Sequence, residues 1–195
     1  SPATTVNLVI MLDTSTSMVD PSYGGVISLP GGGTTTRFAL AKDAVENLIN
    51  SYGGSLQNVM LVTFNGSATY QGWLSPDDAI ATIQGLGTGN GTDFDSALQQ
   101  VQDNYGAPAD VDHTYVYFIS DGYPASSLGI VTPGTSVSAG ERADWVDFLE
   151  SNDIDAAYAV GVGADLTSDY AKSNLDTVAW APTGNPTLNW NTDNG

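Results

Sequence analysis

The sequence predicts an α/β fold in which a mostly parallel sheet is doubly wound between two layers of helices. Two observations carry this prediction: apolar runs of strand length recur along the chain, and segments with helical periodicity separate most of them. The first run is apolar almost throughout, as expected for a parallel strand that helices cover on both faces. A tight-turn signal joins one pair of runs, which adds one antiparallel edge strand to this three-layer architecture.

Five segments of the chain predict strands. They are residues 6–12, 59–64, 68–74, 114–119 and 156–162. The second and third are separated by Asn65-Gly66, so they are expected to form an antiparallel hairpin at one edge of the sheet. The others are separated by helical segments, which is typical of parallel strands.

Helical periodicity appears in five segments between and after the strands. They are residues 37–52, 76–84, 94–104, 140–151 and 167–178. In the first of them, apolar residues recur every three to four positions. Thr35 or Thr36 offers an N-cap, and Gly53-Gly54 ends the helix.

The length of the chain, 195 residues, predicts a single domain over residues 1–195. Its core is expected at about 6–180, and the tail, 181–195, shows no pattern that assigns an element. No apolar stretch reaches the roughly 20 residues of a membrane span. We therefore expect no direct insertion into a membrane. We also expect the domain to be monomeric and to be part of a larger chain.

The net charge of the chain excludes some classes of binding partner. Four Lys and Arg face 22 Asp and Glu, which gives a net charge of −18. Such a surface repels phosphate backbones and anionic lipid headgroups, so nucleic acid is not an expected partner. The chain has no cysteine, which excludes disulfides and thiolate metal sites.

A cluster of oxygen ligands follows the first strand. Asp13, Ser15 and Ser17 form an Asp-x-Ser-x-Ser pattern just past its carboxyl end. Ligands of open α/β sheets bind at this edge. One carboxylate and two hydroxyls within five residues suit a hard divalent cation such as Mg²⁺ or Ca²⁺.

Two more residues are expected to reach the same crevice. Asp121 follows the strand at 114–119, and Thr92 ends a glycine-rich loop at the start of a helix. If the first and fourth strands are neighbours, all three loops meet at one switch point of the sheet. Because such a site holds only two carboxylates beside neutral hydroxyls, a bound cation would keep at least one open or water-filled position, which a carboxylate from outside could take.

Asp13-x-Ser15-x-Ser17, the Thr92 loop and the Asp121 turn, in that order on a βαβ chain, resemble a von Willebrand factor type A domain. The resemblance covers about residues 6–180. It implies a metal-ion-dependent adhesion site in which the two serines and Thr92 bind the cation directly. The two aspartates would act directly or through water. It also implies a non-enzymatic module that captures an acidic group on a protein or cell-surface ligand.

The Asp-rich, Cys-free composition further resembles type A modules of large secreted bacterial adhesins of the RTX class. That resemblance implies an extracellular location at a bacterial cell surface, with a role in attachment or biofilm. One departure from the family is the glycine-rich insert Gly24–Gly33, which is longer than in many relatives. We expect it on the metal face, where it would shape or cover the ligand surface.

Other interpretations of these motifs are weaker. An EF-hand is excluded because Met18 and Gly24 stand where that loop needs Gly and Glu. The Gly89–Phe94 segment only faintly resembles a calcium-binding nonapeptide repeat, and it occurs once.

Two functional alternatives remain open beside adhesion. A module could use the cation for stability alone, with the insert sealing the crevice. A metal-assisted hydrolase would need Asp93 or Asp95 as its general base. The only histidine is His113, so acyl-transfer chemistry has no base and nucleophile pair.

Overall fold

The computed structural model describes residues 3–108, 110–124, 135–162 and 169–182. Within them, the main sheet has five strands: β1 (Val6–Asp13), β4 (Leu56–Phe64), β5 (Ala68–Leu74), β6 (His113–Ser120) and β7 (Ala156–Gly161). A separate two-stranded sheet contains β2 (Val26–Ser28) and β3 (Thr34–Thr36). The helices are α1 (Arg37–Tyr52), α2 (Pro76–Gln84), α3 (Phe94–Asn104), α4 (Ala139–Ser151) and α5 (Asp169–Asp176).

The strand order of the main sheet is β5-β4-β1-β6-β7. β1 pairs in parallel with both β4 and β6, β6 pairs in parallel with β7, and β5 pairs antiparallel to β4. The predicted fold class is therefore confirmed, including the antiparallel edge strand. This order makes β1 and β6 neighbours, as the predicted site requires, so their carboxyl ends open onto the same side of the sheet.

Helices cover both faces of the sheet, and β1 supplies side chains to both cores. Val9 and Met11 pack into the core beneath α3, α4 and α5, whereas Leu8, Ile10 and Leu12 pack beneath α1 and α2. All eight residues of β1 are buried. This explains why its sequence is apolar on both sides of the strand.

Local sequence signals decide where the helices begin. The Thr36 hydroxyl accepts a hydrogen bond from the backbone N–H of Ala39 and so caps α1. The Ser75 hydroxyl caps α2 in the same way. At α4, Ser138 and Glu141 form a reciprocal capping box. No helix in the described ranges is both long enough and apolar enough to cross a membrane.

The structure adds detail that the sequence analysis did not predict. The glycine-rich insert contains β2 and the turn that joins it to β3 in a hairpin, and Gly31, Gly32 and Gly33 of this turn all have positive φ. Beyond α5, Trp180 forms an isolated antiparallel bridge with Ala157 of β7. The first residues of the helix predicted at 167–178, and the tail from residue 183, lie outside the described residues.

Candidate metal centre

Asp13 ends β1 with its side chain buried in the sheet edge. Its Oδ1 accepts a hydrogen bond from the Ser15 backbone N–H at 2.7 Å, and its Oδ2 accepts one from the Ser120 hydroxyl at 2.7 Å. Burial raises the pKa of Asp13, and the charge of Asp121 raises it further. The hydrogen bonds from the two serines oppose this shift but do not cancel it.

Ser15 and Ser17 connect β1 to the end of β6. The Ser17 hydroxyl donates to Asp121 Oδ2 at 2.7 Å, and the two serine oxygens are 2.9 Å apart. Because a hydroxyl has one hydrogen, Ser15 is the donor of the second bond. Both serine oxygens therefore keep lone pairs that could bind a cation.

Asp121 follows the last residue of β6 and is buried, with 2% of its surface exposed. Its Oδ1 accepts a hydrogen bond from the backbone N–H of Tyr123 at 3.2 Å. The next residue, Gly122, has φ 87°, and a Cβ there would lie 2.8 Å from the Cβ of Ala171. Only glycine allows α5 to pack this closely against the turn that presents Asp121.

Thr92 lies on the loop that adjoins the β1 turn. The loop is held there by backbone hydrogen bonds from Thr16 N–H to Gly89 and from Gly89 N–H to Thr14, at 2.8 and 2.9 Å. Thr92 is 3% exposed, and within the described part of the chain its hydroxyl has no hydrogen-bond partner. The structure thus joins four of the five candidate ligands in one hydrogen-bond network and leaves Thr92 outside it, on the adjoining loop.

Two residues near this network were missed as site residues in the sequence analysis. Ser120 donates to Asp13 and accepts the Gly122 backbone N–H at 3.1 Å, so it orients the Asp13 carboxylate. Arg37 is buried, and its Nη1 lies 3.6 Å from Asp121 Oδ2. The available signal for Arg37 was its rarity, because the chain has only four basic residues.

The two acidic residues considered as a general base have other partners. Asp93 caps α3 by accepting the Ser96 backbone N–H at 3.0 Å. Asp95 lies in the first turn of α3, where its pKa is raised to about 7. Burial is the largest cause, followed by a hydrogen bond and charge repulsion with Glu141.

The donor set of the network fits a hard cation. It offers two carboxylates and neutral hydroxyls, all oxygen ligands of the kind that Mg²⁺ and Ca²⁺ take. In the described ranges, no three His, Cys, Asp or Glu side chains converge on a point. A cation at this edge would therefore depend on the serine and threonine hydroxyls, and it would offset the repulsion that raises the pKa of Asp13.

A comparison with known families supports the fold. A family model described as the von Willebrand factor type A domain matches residues 8–124, a range that contains all five candidate ligands. No curated protein matches the chain.

Solved structures with the same fold come from several bacteria. The PilB minor pilin from Streptococcus sanguinis is 16% identical, with a TM-score of 0.65 over 100% of this chain and 59% of the pilin. A von Willebrand factor type A protein from Catenulispora acidiphila is 16% identical, with a TM-score of 0.62 over 98% of this chain and 39% of that protein.

An aerotolerance-related membrane protein from Bacteroides fragilis is 19% identical, with a TM-score of 0.54 over 81% of this chain and 68% of its own. The chain thus spans less than two thirds of the pilin and of the Catenulispora protein. At these identities the likeness concerns the fold.

Proposed function

The chain belongs to the von Willebrand factor type A domain family, and from this premise we propose that it is a cation-dependent binding module. Asp13, Ser15, Ser17, Thr92 and Asp121 would hold Mg²⁺ or Ca²⁺ at the carboxyl edge of the sheet. The bound cation would supply a positive centre for an acidic group of a protein or cell-surface ligand. No step of catalysis is part of this proposal, since domains of this family are generally adhesion and interaction modules.

The observation that carries the proposal is the buried pair of aspartates. Asp13 and Asp121 are 0% and 2% exposed, and the charge of Asp121 contributes to the raised pKa of Asp13. Two like charges held together out of water are costly, and the single positive charge of Arg37, 3.6 Å from Asp121, offsets only one of them. A divalent cation offsets them directly, and the adjoining hydroxyls of Ser15 and Ser17 complete an oxygen-rich site.

The protein's own residues prepare this site before any cation arrives. Ser120 fixes the Asp13 carboxylate, and Ser17 fixes that of Asp121. The Thr92 hydroxyl needs to give up no hydrogen bond within the described residues in order to bind a cation. Because these groups are already oriented, binding costs little reorganisation.

We further propose that the domain is one part of an extracellular bacterial surface protein of the RTX adhesin type, in which it would act in attachment or biofilm. The support for this location is the resemblance of the acidic, Cys-free composition to that of such surface proteins. The structural neighbours named above include a minor pilin and a membrane protein, which is consistent with it.

Calorimetric titration of the metal-stripped domain with Mg²⁺ and Ca²⁺ tests the metal centre. We expect saturable binding by the wild type and none by an Asp13→Ala, Ser15→Ala variant that still melts cooperatively. Asp43→Ala, which removes an exposed carboxylate from α1, is the matched control and should bind like the wild type. Absence of binding by the wild type would refute the proposal.

The capture of an acidic group needs a second experiment. A peptide with one Glu is titrated into the metal-saturated domain, beside the same peptide with Gln. We expect binding of the Glu peptide alone, and its loss when a chelator is added. A bound cation without binding of either peptide would instead indicate that the cation only stabilises the module.

A further inference from the structure

Arg37 is a buried arginine in a chain that is poor in basic residues. It is one of four Lys and Arg among 195 residues, and it is 2% exposed. Arginine is rarely buried to this extent unless a negative charge faces it. Here its Nη1 lies 3.6 Å from Oδ2 of Asp121, and both side chains are almost completely out of water.

The backbone around Arg37 fixes this guanidinium in place. Its Nη1 donates a hydrogen bond to the Tyr23 carbonyl at 3.0 Å, and its backbone N–H donates to the Gly25 carbonyl at 2.8 Å. A Cβ at Gly25 would lie 2.6 Å from the backbone nitrogen of Asp20, so the insert folds tightly against the β1 loop. Arg37 is therefore anchored at the first turn of α1 and by the insert.

The oxygen that Arg37 faces belongs to the candidate metal centre. Asp121 Oδ2 also accepts the Ser17 hydroxyl at 2.7 Å. A guanidinium and a divalent cation would thus lie beside the same carboxylate, in a buried site where repulsion between positive charges is screened weakly.

We propose that Arg37 is an internal counter-ion of the metal centre that lowers its affinity for the cation and raises the affinity of the loaded site for a carboxylate. This inference rests on the proposed function. Arg37 acts through Asp121 and through the charge of the site, so it is a positioning residue rather than a ligand.

The summed charge of Asp13, Asp121 and Arg37 explains both proposed effects on affinity. Ionised Asp13 and Asp121 carry two negative charges, and Arg37 reduces the sum to minus one. A divalent cation brings it to plus one, and one external carboxylate then neutralises it. Without Arg37, the loaded site would already be neutral, so it would hold the cation more tightly and attract a carboxylate less.

The test measures both affinities in Arg37→Gln, which removes the charge but keeps an amide donor for the Tyr23 carbonyl. Calorimetry should give a Kd for Mg²⁺ about tenfold lower than in the wild type, and a Kd of the Glu peptide for the Mg²⁺-loaded domain about tenfold higher. If Arg37 served only to stabilise the fold, Arg37→Gln would bind both Mg²⁺ and the Glu peptide more weakly. Arg37→Lys keeps the charge and should lie near the wild type, as should Lys42→Gln, which removes a charge elsewhere on α1.

Unchanged or weaker Mg²⁺ binding by folded Arg37→Gln would overturn the inference, while the wild type still reports on the proposed function. If the wild type itself binds no Mg²⁺, the proposed function fails and this inference falls with it. If Arg37→Gln fails to fold, the inference is tested instead by the rate of hydrogen exchange of the Arg37 guanidinium N–H groups in the wild type. Exchange should accelerate on saturation with Mg²⁺, and an unchanged rate would overturn the inference.

Discussion

Aspartates lie at both edges of the sheet, but in opposite electrostatic situations. At the amino edge, Asp112 accepts hydrogen bonds from the backbone N–H and hydroxyl of Thr5 at 2.8 and 3.0 Å. These bonds lower the pKa of Asp112, the backbone bond most. At the carboxyl edge, burial and a neighbouring charge raise the pKa of Asp13.

The amino-edge aspartates stabilise the fold, whereas the carboxyl-edge aspartates destabilise it as long as no ligand is bound. The amino-edge carboxylates satisfy backbone N–H groups at the starts of strands, a use that needs no ligand. The carboxyl-edge pair is buried together, which is unfavourable for the fold alone. Clusters of this kind are common at functional sites, where a bound ligand of opposite charge offsets the cost.

The largest expected effect is the response of the carboxyl edge to a cation. At a Mg²⁺ concentration of about 100 times Kd, linkage predicts about 2.7 kcal/mol of added stability, or about 5–10 °C in Tm for a domain of this size. Differential scanning calorimetry with and without chelator measures it. Asp13→Asn should show no such gain, and an equal gain in this variant would place the cation elsewhere.

Thr92 tests whether the loop beside the network belongs to the site. Thr92→Val keeps the shape but removes the hydroxyl, which has no hydrogen-bond partner among the described residues. We expect the Kd for Mg²⁺ to rise about tenfold with the Tm of the metal-free domain unchanged. A lower Tm without a change in Kd would assign Thr92 to packing instead.

Exchanging one aspartate at each edge should change stability in opposite directions. In chelator at pH 8, Asp13→Asn should raise the free energy of unfolding by about 1 kcal/mol, because it removes a buried like charge. Asp155 lies at the amino edge, directly before β7, and accepts the Thr114 backbone N–H at 2.8 Å. Asp155→Ala should lower the free energy of unfolding by about 1 kcal/mol, because this N–H loses its acceptor. Urea denaturation measures both, and shifts of the same sign would break the contrast between the edges.

The smallest expected effect concerns Asp95, in the first turn of α3. Its pKa is raised from 3.8 to about 7, so the folded state binds more protons than the unfolded chain between these values. The contribution of Asp95 to stability is therefore fully present near pH 4 and is lost as the pH rises through 7.

In Asp95→Asn, whose amide can still donate to Glu141, the fall of Tm from pH 5 to pH 8 should become shallower. Thermal melts of the metal-free protein at both pH values measure this. Asp43→Asn, which neutralises an exposed carboxylate on α1, controls for the loss of one charge. An identical change of Tm with pH in the wild type and in Asp95→Asn would contradict the raised pKa of Asp95.

The sequence predicted those parts of the fold that depend on local signals. α1 occupies residues 37–52 in the structure as in the prediction, because a capping threonine and a glycine pair delimit it. The β2–β3 hairpin escaped prediction because strands of three residues are too short to show a period. The Asn65-Gly66 signal located the hairpin correctly, and Phe64 pairs with Ala68 across the three residues that the predicted strands left between them.

The candidate site was predictable to the same extent. Asp13 and Asp121 could be brought together from sequence because parallel strands end at a common edge. Arg37 could not be placed beside them, since its contact depends on how the insert folds against the β1 loop. A functional side chain that comes from a segment distant in sequence produces no local sequence pattern from which its place could be predicted.

The two outer strands of the main sheet bear on how copies of this domain behave at high concentration. Leu61 pairs with Gly72 and Val62 with Tyr70, so Gln71 is an extra residue that bulges β5, and Gly72 adopts φ 122° there. On the other side, Trp180 exchanges two backbone hydrogen bonds of 2.9 Å with Ala157 of β7. Irregular or covered edges resist the strand-to-strand joining that leads to aggregates. Both features therefore disfavour pairing between the sheets of densely packed copies.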